Sequence, residues 1–283
     1  MHVFNKKEFI ELNKHKCSEL HCLDFDGVSI VLGEKDGELY SPFSAPFGGF
    51  SSLQKTPSLE MMESASEKLY ECLKEKNKKC HITLPPTFYN ESFISKCISA
   101  MQRNGFKIDY GDLNYHFDLT EQIKMQYNAR KHWNTAIRNN LHLILADNKE
   151  DMQIAHDIIA NNRKERGYPP HLSLEEFYET AKAININLDC FLVYADKEPI
   201  AAALVFGIEP KRSFVVLWGD NREKKEMRPM NFLALSMAEH YKSLGYLSLD
   251  LGPSSKNGIP SYGLCSFKES LGCTVTLKYT MGI

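Results

Sequence analysis

The chain has 283 residues, 43% hydrophobic and 25% charged, a globular composition long enough for one large domain or two ordinary ones without disulfide or metal staples. A formal net charge of −2 and a pI near 6.6 exclude a globally basic nucleic-acid binder, though not a local basic face. The longest apolar run, IAAALVFGI at 200–208, is too short to span a bilayer, and MHVFNKKEFIEL at the start lacks the apolar core of a signal peptide, so the protein is expected in the cytoplasm.

In the first half, short strands are expected at 20–25, 28–33 and 38–43, joined by turns at Asp26-Gly27 and Lys35-Asp36-Gly37. The Pro/Gly-rich loop SPFSAPFGGF (41–50) follows. A helix is expected over 58–78 with Ser58 as its cap, then the strand HITLPP, then a helix over 90–105 between Asn90 and Gly105. YHFDL at 115–119 closes this half as a strand. The second half opens with a helix over 125–140 and a strand at 141–146. Helices at 149–166 and 173–184 flank RGYPPH. Strands follow at 189–195, 199–208 and 213–219. A helix over about 229–244 shows Met230, Leu233, Ala234, Met237, Ala238 and Tyr241 at the spacing of a buried face. Strands at 246–251 and 273–280 bracket the glycine-punctuated SYGLCSFKESLG. The two halves share an element order without residue-level identity. This predicts an α/β (α+β) protein of two lobes, 1–122 and 123–283, each a mixed central sheet flanked by helices.

The eight cysteines form no C-x-x-C pair and read as free thiols. The histidines have no metal-ligand spacing, so no metal is expected. There is no P-loop, no dinucleotide fingerprint and no nucleophile elbow.

Strand, two helices, three strands, helix, strand, helix, strand resembles the fold of the GNAT acyltransferases. LDLGPSS…GLCSFKESLG, with SPFSAPFGGF in the first half and NARKHWNTAIRNNLHL opening the second, resembles the FemAB-like branch. The resemblance implies tandem GNAT-like lobes, the second carrying the site, and transfer of an acyl group to an amine. The resemblance does not choose between donors; acyl-CoA is the one expected here. The alternative in that branch is an aminoacyl-tRNA donor acting on a cell-wall precursor, and a non-catalytic binding module of the same fold is a third reading. The acceptor is a small-molecule or cell-wall-precursor amine.

Acyl transfer needs charge stabilisation at a carbonyl oxygen and groups that move protons. With the resemblance, Lys268 is the candidate for charge stabilisation. Tyr262 and Asp250, the latter at a strand's carboxyl end, are the candidates for proton movement. GNAT enzymes bind the donor pyrophosphate on a glycine-rich loop before the long helix. Here that region reads NREKKEMRPMNFLAL, with no glycine, so Arg228 and the N–H groups of Met230 and Asn231 are the candidate contacts. Arg130, Arg138, Arg163 and Arg166 are candidates for binding phosphate or carboxylate on the substrate. Phe267 stands where many acetyltransferases carry a tyrosine.

Overall fold

The structure is a computed structural model that describes residues 3–54, 56–169 and 171–283. Met1 and His2 of the opening stretch, and Pro170 of RGYPPH, lie outside the described residues. In chain order the elements are α1 (Lys7–Asn13), β1 (Glu19–Phe25), β2 (Val28–Lys35), β3 (Glu38–Ser41), β4 (Ser51–Ser52), α2 (Leu59–Glu75), β5 (Cys80–Thr83), α3 (Glu91–Arg103) and β6 (Lys107–Asp118). They continue as α4 (Tyr127–Arg138), β7 (Leu141–Leu145), α5 (Lys149–Glu165), α6 (Leu174–Ile184), β8 (Leu188–Ala195), β9 (Glu198–Glu209), β10 (Arg212–Asp220) and α7 (Pro229–Ser243). The last are β11 (Ser248–Pro253), β12 (Ser255–Lys256), β13 (Ile259–Pro260), α8 (Tyr262–Ser270) and β14 (Thr274–Gly282). Among the described residues, no helix is long and apolar enough to cross a membrane.

The chain forms two compact units: Met1–Asn114 with Ser255–Pro260 and Thr276–Ile283, and Tyr115–Ser254 with Ser261–Val275. The division thus falls within β6 rather than between 122 and 123, and two late segments belong to the first unit. Long-range pairing is the reason. β14 pairs with β5 through Thr280↔Thr83 and Met281↔Ile82, which buries Met281 in the first core. The β12–β13 hairpin is fixed by Asp112, whose Oδ1 accepts from Ser255 Oγ at 2.7 Å and from the Gly258 N–H at 3.0 Å. A boundary drawn from element order along the chain does not register such pairings.

In the first unit the sheet order is β1-β2-β3-β5-β14-β6, with β3·β5 parallel and β1·β2, β2·β3 and β5·β14 antiparallel. Its two hairpin turns, Asp26-Gly27 and Asp36-Gly37, both have positive φ at both positions, the signature of type I′. Ser58 caps α2 by accepting from the Met61 N–H, and Asn90 caps α3 by accepting from the Phe93 N–H. The apolar faces of α2 and α3 (Met62, Leu69, Ile94, Met101) close over Ile30, Leu32 and Ile82. Glu19, His21 and Glu34 bring metal-type ligand atoms together on β1 and β2, but Lys78 Nζ already pairs with Glu34 Oε1 at 2.6 Å. α1 and the first half of β6 were not expected from the sequence.

In the second unit the sheet runs β6-β11-β10-β9-β8-β7. β7·β8, β8·β9 and β9·β10 are antiparallel and β10·β11 is parallel. Its centre is IAAALVFGI, buried on both faces. Ala201, Ala203 and Val205 join the cluster with Leu233, Ala234, Met237 and Ala238 of α7, while Phe206 meets Phe177 of α6 on the other side. Each lobe is thus a mixed sheet flanked by helices, as expected. All eight cysteines are free; Cys80, Cys97, Cys190 and Cys265 are buried and Cys22 is exposed.

Candidate functional site

β10 and β11 are parallel neighbours for three residue pairs only: Arg212↔Ser248, Ser213↔Leu249 and Phe214↔Asp250. Beyond them β10 runs on to Asp220, paired on its other edge with β9. The two strands therefore splay and open a cleft of about 700 Å³, walled by residues 214–220 of β10, by Leu251, Gly252 and Pro253 of β11, and by Gly263, Leu264 and Phe267 of α8. A bulge in β10 between Val215 and Leu217 puts Val216 on this wall.

The start of α7 forms one end of the cleft. Pro229 occupies its first position, no side chain caps it, and no acid lies in its first turn. The first helical bond runs from the Phe232 N–H to Arg228 O, so the Met230 and Asn231 N–H groups have no partner within the helix. Arg228 takes φ +63° at the cap, the left-handed region where a glycine is usual. Asn231 is 7% exposed and its buried Nδ2 has no hydrogen-bond partner. Arg163 of α5, Arg166 at that helix's C-cap and Lys225 line the same cleft, and the buried Nε of Arg163 is also unpartnered. The helix dipole, the free amides and these cations give this end the electropositive character that suits an anion.

Asp220, 8% exposed at the carboxyl end of β10, is the carboxylate on the cleft wall. Asn162 Nδ2 of α5 donates to its carbonyl at 2.7 Å and to its Oδ1 at 2.8 Å. Arg166 Nε donates to Asn162 Oδ1 at 3.1 Å, with Arg166 Nη2 4.0 Å from Asp220 Oδ1. Gly219 permits this approach, because a Cβ there would lie 2.9 Å from Asn162 Cβ. Burial pushes the Asp220 carboxyl up, against the pull of Arg166.

Arg163, Arg166, Arg228, Met230 and Asn231, all expected from the sequence, come together in this one cleft. Arg130 and Arg138 do not line it; they are exposed on α4. Nor do the three residues expected to carry the chemistry. Tyr262 is 79% exposed and absent from the wall. Asp250 is 1% exposed, and its Oδ1 accepts the Gly252 N–H at 2.8 Å. Lys268 is also 1% exposed, and its Nζ donates to the carbonyls of Leu251 (2.9 Å), Gly252 (2.8 Å) and Pro253 (3.2 Å). Burial pushes this ammonium down to about 8, against the pull of Asp250. α8 turns Lys268 inward beneath the wall rather than into the cleft, which is why neither an exposed nor a cleft-facing lysine is found. Asp220 and Asn162 were missed. The signal for Asp220 was present, since a carboxylate ending a strand was the criterion applied to Asp250. Asn162 meets it across 58 residues, which no local pattern encodes.

Residues 124–262 match the family model of the acetyltransferase (GNAT) domain. No curated protein matches the chain. Among solved structures, FemX is similar at TM-score 0.67 and 11% identity, over 99% of this chain and 91% of that one. The C-terminal domain of a putative lysylphosphatidylglycerol synthetase from Agrobacterium fabrum is similar at TM-score 0.63 and 12% identity, over 95% of this chain and 86% of that one. L-PGS from Bacillus licheniformis is similar at TM-score 0.63 and 12% identity, over 98% and 91%. At these identities the likeness is one of fold. The strands β10 and β11 and the helix α7 that wall the cleft lie within the matched stretch, and α8 begins at its last residue; the chain thus carries a GNAT-type acetyltransferase domain over residues 124–262, in a fold similar to that of FemX.

Proposed function

We propose that the chain transfers an acyl group from acyl-CoA to an amine in the β10–β11 cleft. The observation that carries this reading is the uncapped α7 terminus opening into a cleft that Arg163, Arg166, Lys225 and Arg228 also line. The residues present fit the donor's phosphates without a glycine loop. Arg228 adopts the left-handed backbone itself, and the buried Asn231 Nδ2 and Arg163 Nε are donors awaiting acceptors. CoA supplies a thioester, activated toward an amine nucleophile.

In this reading the donor's arm lies along the free edge of β10, and a backbone N–H at the Val216 bulge receives the carbonyl oxygen as charge develops on it. Asp220 orients the acceptor ammonium and takes its proton, aided by a carboxyl raised by burial. The new C–N bond forms as the C–S bond breaks. Phe267 has no proton to give, so the proton that the nitrogen sheds as the amide forms passes to the leaving thiolate. The test is thiol release from acetyl-CoA with a panel of polyamines, amino sugars and amino acids. Release that needs both donor and amine, and is lost in Asp220→Asn, supports the reading. Donor binding with no release from any amine favours the non-catalytic binding module.

An aminoacyl-tRNA donor is the second reading. The observation that favours it is the proximity of α4 to the anion site: Arg228 and Lys131 both help to push the His132 imidazole down, after burial. Cations there, with exposed Arg130 and Arg138 along the same helix, suit a polyanion longer than a nucleotide. It predicts tRNA binding that falls steeply with salt.

A further inference from the structure

In an extended strand, successive carbonyls point to opposite edges, so one donor group meets every second carbonyl at most. At the end of β11 three successive carbonyls, those of Leu251, Gly252 and Pro253, converge on one ammonium. Gly252 makes this possible at φ +75°, a conformation that breaks the alternation. Asp250 holds the kink from the other side through the Gly252 N–H. The β10·β11 ladder ends at Phe214↔Asp250, immediately before this cup, and the cup's three residues are the β11 wall of the cleft. All three Lys268 protons are used on these carbonyls, and the side chain is 1% exposed, so none is left to reach a substrate. The groups facing Nζ from the surrounding elements are Asp250, Cys265, Cys273 and the Tyr115 ring at 5.7 Å, whose hydroxyl donates to Glu269.

We propose that Lys268 is a positioning residue: seated in the carbonyl cup of 251–253, its ammonium ends the β10·β11 ladder and holds the cleft open for the donor. Without that charge the three carbonyls lose their shared donor. The free edge of β10 beyond Phe214 offers backbone N–H groups in their place, and pairing with it would narrow the cleft over Trp218, which lines it. The binding consequence rests on the reading of the cleft as the donor site. The narrowing does not.

The experiment compares Lys268→Met and Lys268→Arg in a Trp133→Phe background, which leaves Trp218 as the reporter. Acrylamide quenching reads the accessibility of Trp218, and calorimetry reads the affinity for desulfo-CoA. Lys268→Met is expected to lower quenching and weaken desulfo-CoA by about tenfold, as when a tenth of the molecules are open. Lys268→Arg, which keeps the charge, is expected to recover part of both. Unchanged quenching and affinity with lost turnover would return Lys268 to a chemical role and overturn the proposal. If wild-type protein does not bind desulfo-CoA, the donor reading falls, and quenching alone decides the positioning role. If Lys268→Met does not fold, Gly252→Ala carries the test with the lysine in place. Its added Cβ meets only Phe214 at 3.8 Å, so its effect comes from φ +75° alone, and it must also lower Trp218 accessibility; an unchanged Trp218 contradicts the proposal.

Discussion

Replacing Arg228 by glycine separates two effects that act in opposite directions at one residue. The backbone there is left-handed, φ +63° and ψ 43°, which disfavours a residue with a Cβ by about 1–2 kcal/mol. Glycine removes that strain, but its freer unfolded chain takes back about 0.4–1 kcal/mol. The side chain contributes little to the fold, since its one ion pair, to Glu226, is 3.9 Å long between groups 39% and 76% exposed. The net is a gain of about 0.5–1 kcal/mol, or roughly 1–4 °C for a chain of this size. Toward the donor the sign reverses. A charge-assisted hydrogen bond to phosphate is worth about 1.5–3 kcal/mol, so desulfo-CoA affinity should fall about 10- to 150-fold. Differential scanning calorimetry and titration calorimetry on the same preparation read both. A variant that melts lower and binds the donor as wild type does would refute the reasoning on both counts.

Asn231→Leu removes a buried amide nitrogen with no partner, so it should raise stability by about 1 kcal/mol while weakening donor binding several-fold, read by urea melts and titration calorimetry. Asp220→Asn should lower the rate of amine acylation by about 10²–10⁴. It should also raise the melting temperature, because the raised carboxyl pKa means that its charge opposes folding at neutral pH. For Lys268 the folded value near 8 lies below the 10.5 of a free lysine, so the folded chain releases the proton first. Between those values the unfolded chain holds more protons, and unfolding free energy gains up to about 1.4 kcal/mol per pH unit from this group. Lys268→Met should remove that slope in urea melts between pH 7 and 10. Donor binding by wild type should move the other way and decline as pH rises through about 8, since a neutral amine grips the cup less well.

The parts of the fold legible in the sequence were those with local causes. The I′ turns at Asp26-Gly27 and Asp36-Gly37, the caps Ser58 and Asn90, and the two-faced apolar run of β9 all carry their geometry in adjacent residues. That Arg228, Met230 and Asn231 stand together at one end of the cleft was legible for the same reason, because they are consecutive with Pro229. What was hidden depends on contacts between distant segments. β14 returns to β5, and Asn162 meets Asp220, through pairings that no window spans. Lys268 was hidden differently. Its position in the chain was recognised, but a cation inside a carbonyl cup looks, in sequence, like a surface lysine on a short helix. Gly252 was the one local hint, and its meaning appears only when three carbonyls are seen to converge.

The central claim is that the β10–β11 cleft binds a phosphate-bearing acyl donor at the start of α7. The most direct measurement is a thermal-shift series with desulfo-CoA and acetyl-CoA on wild type and on Arg163→Ala/Arg228→Ala. The account predicts a saturable rise for wild type, about 2.7 kcal/mol of added stability at a hundredfold excess over Kd, largely lost in the double variant. No rise at millimolar ligand, or an equal rise in both proteins, would contradict it.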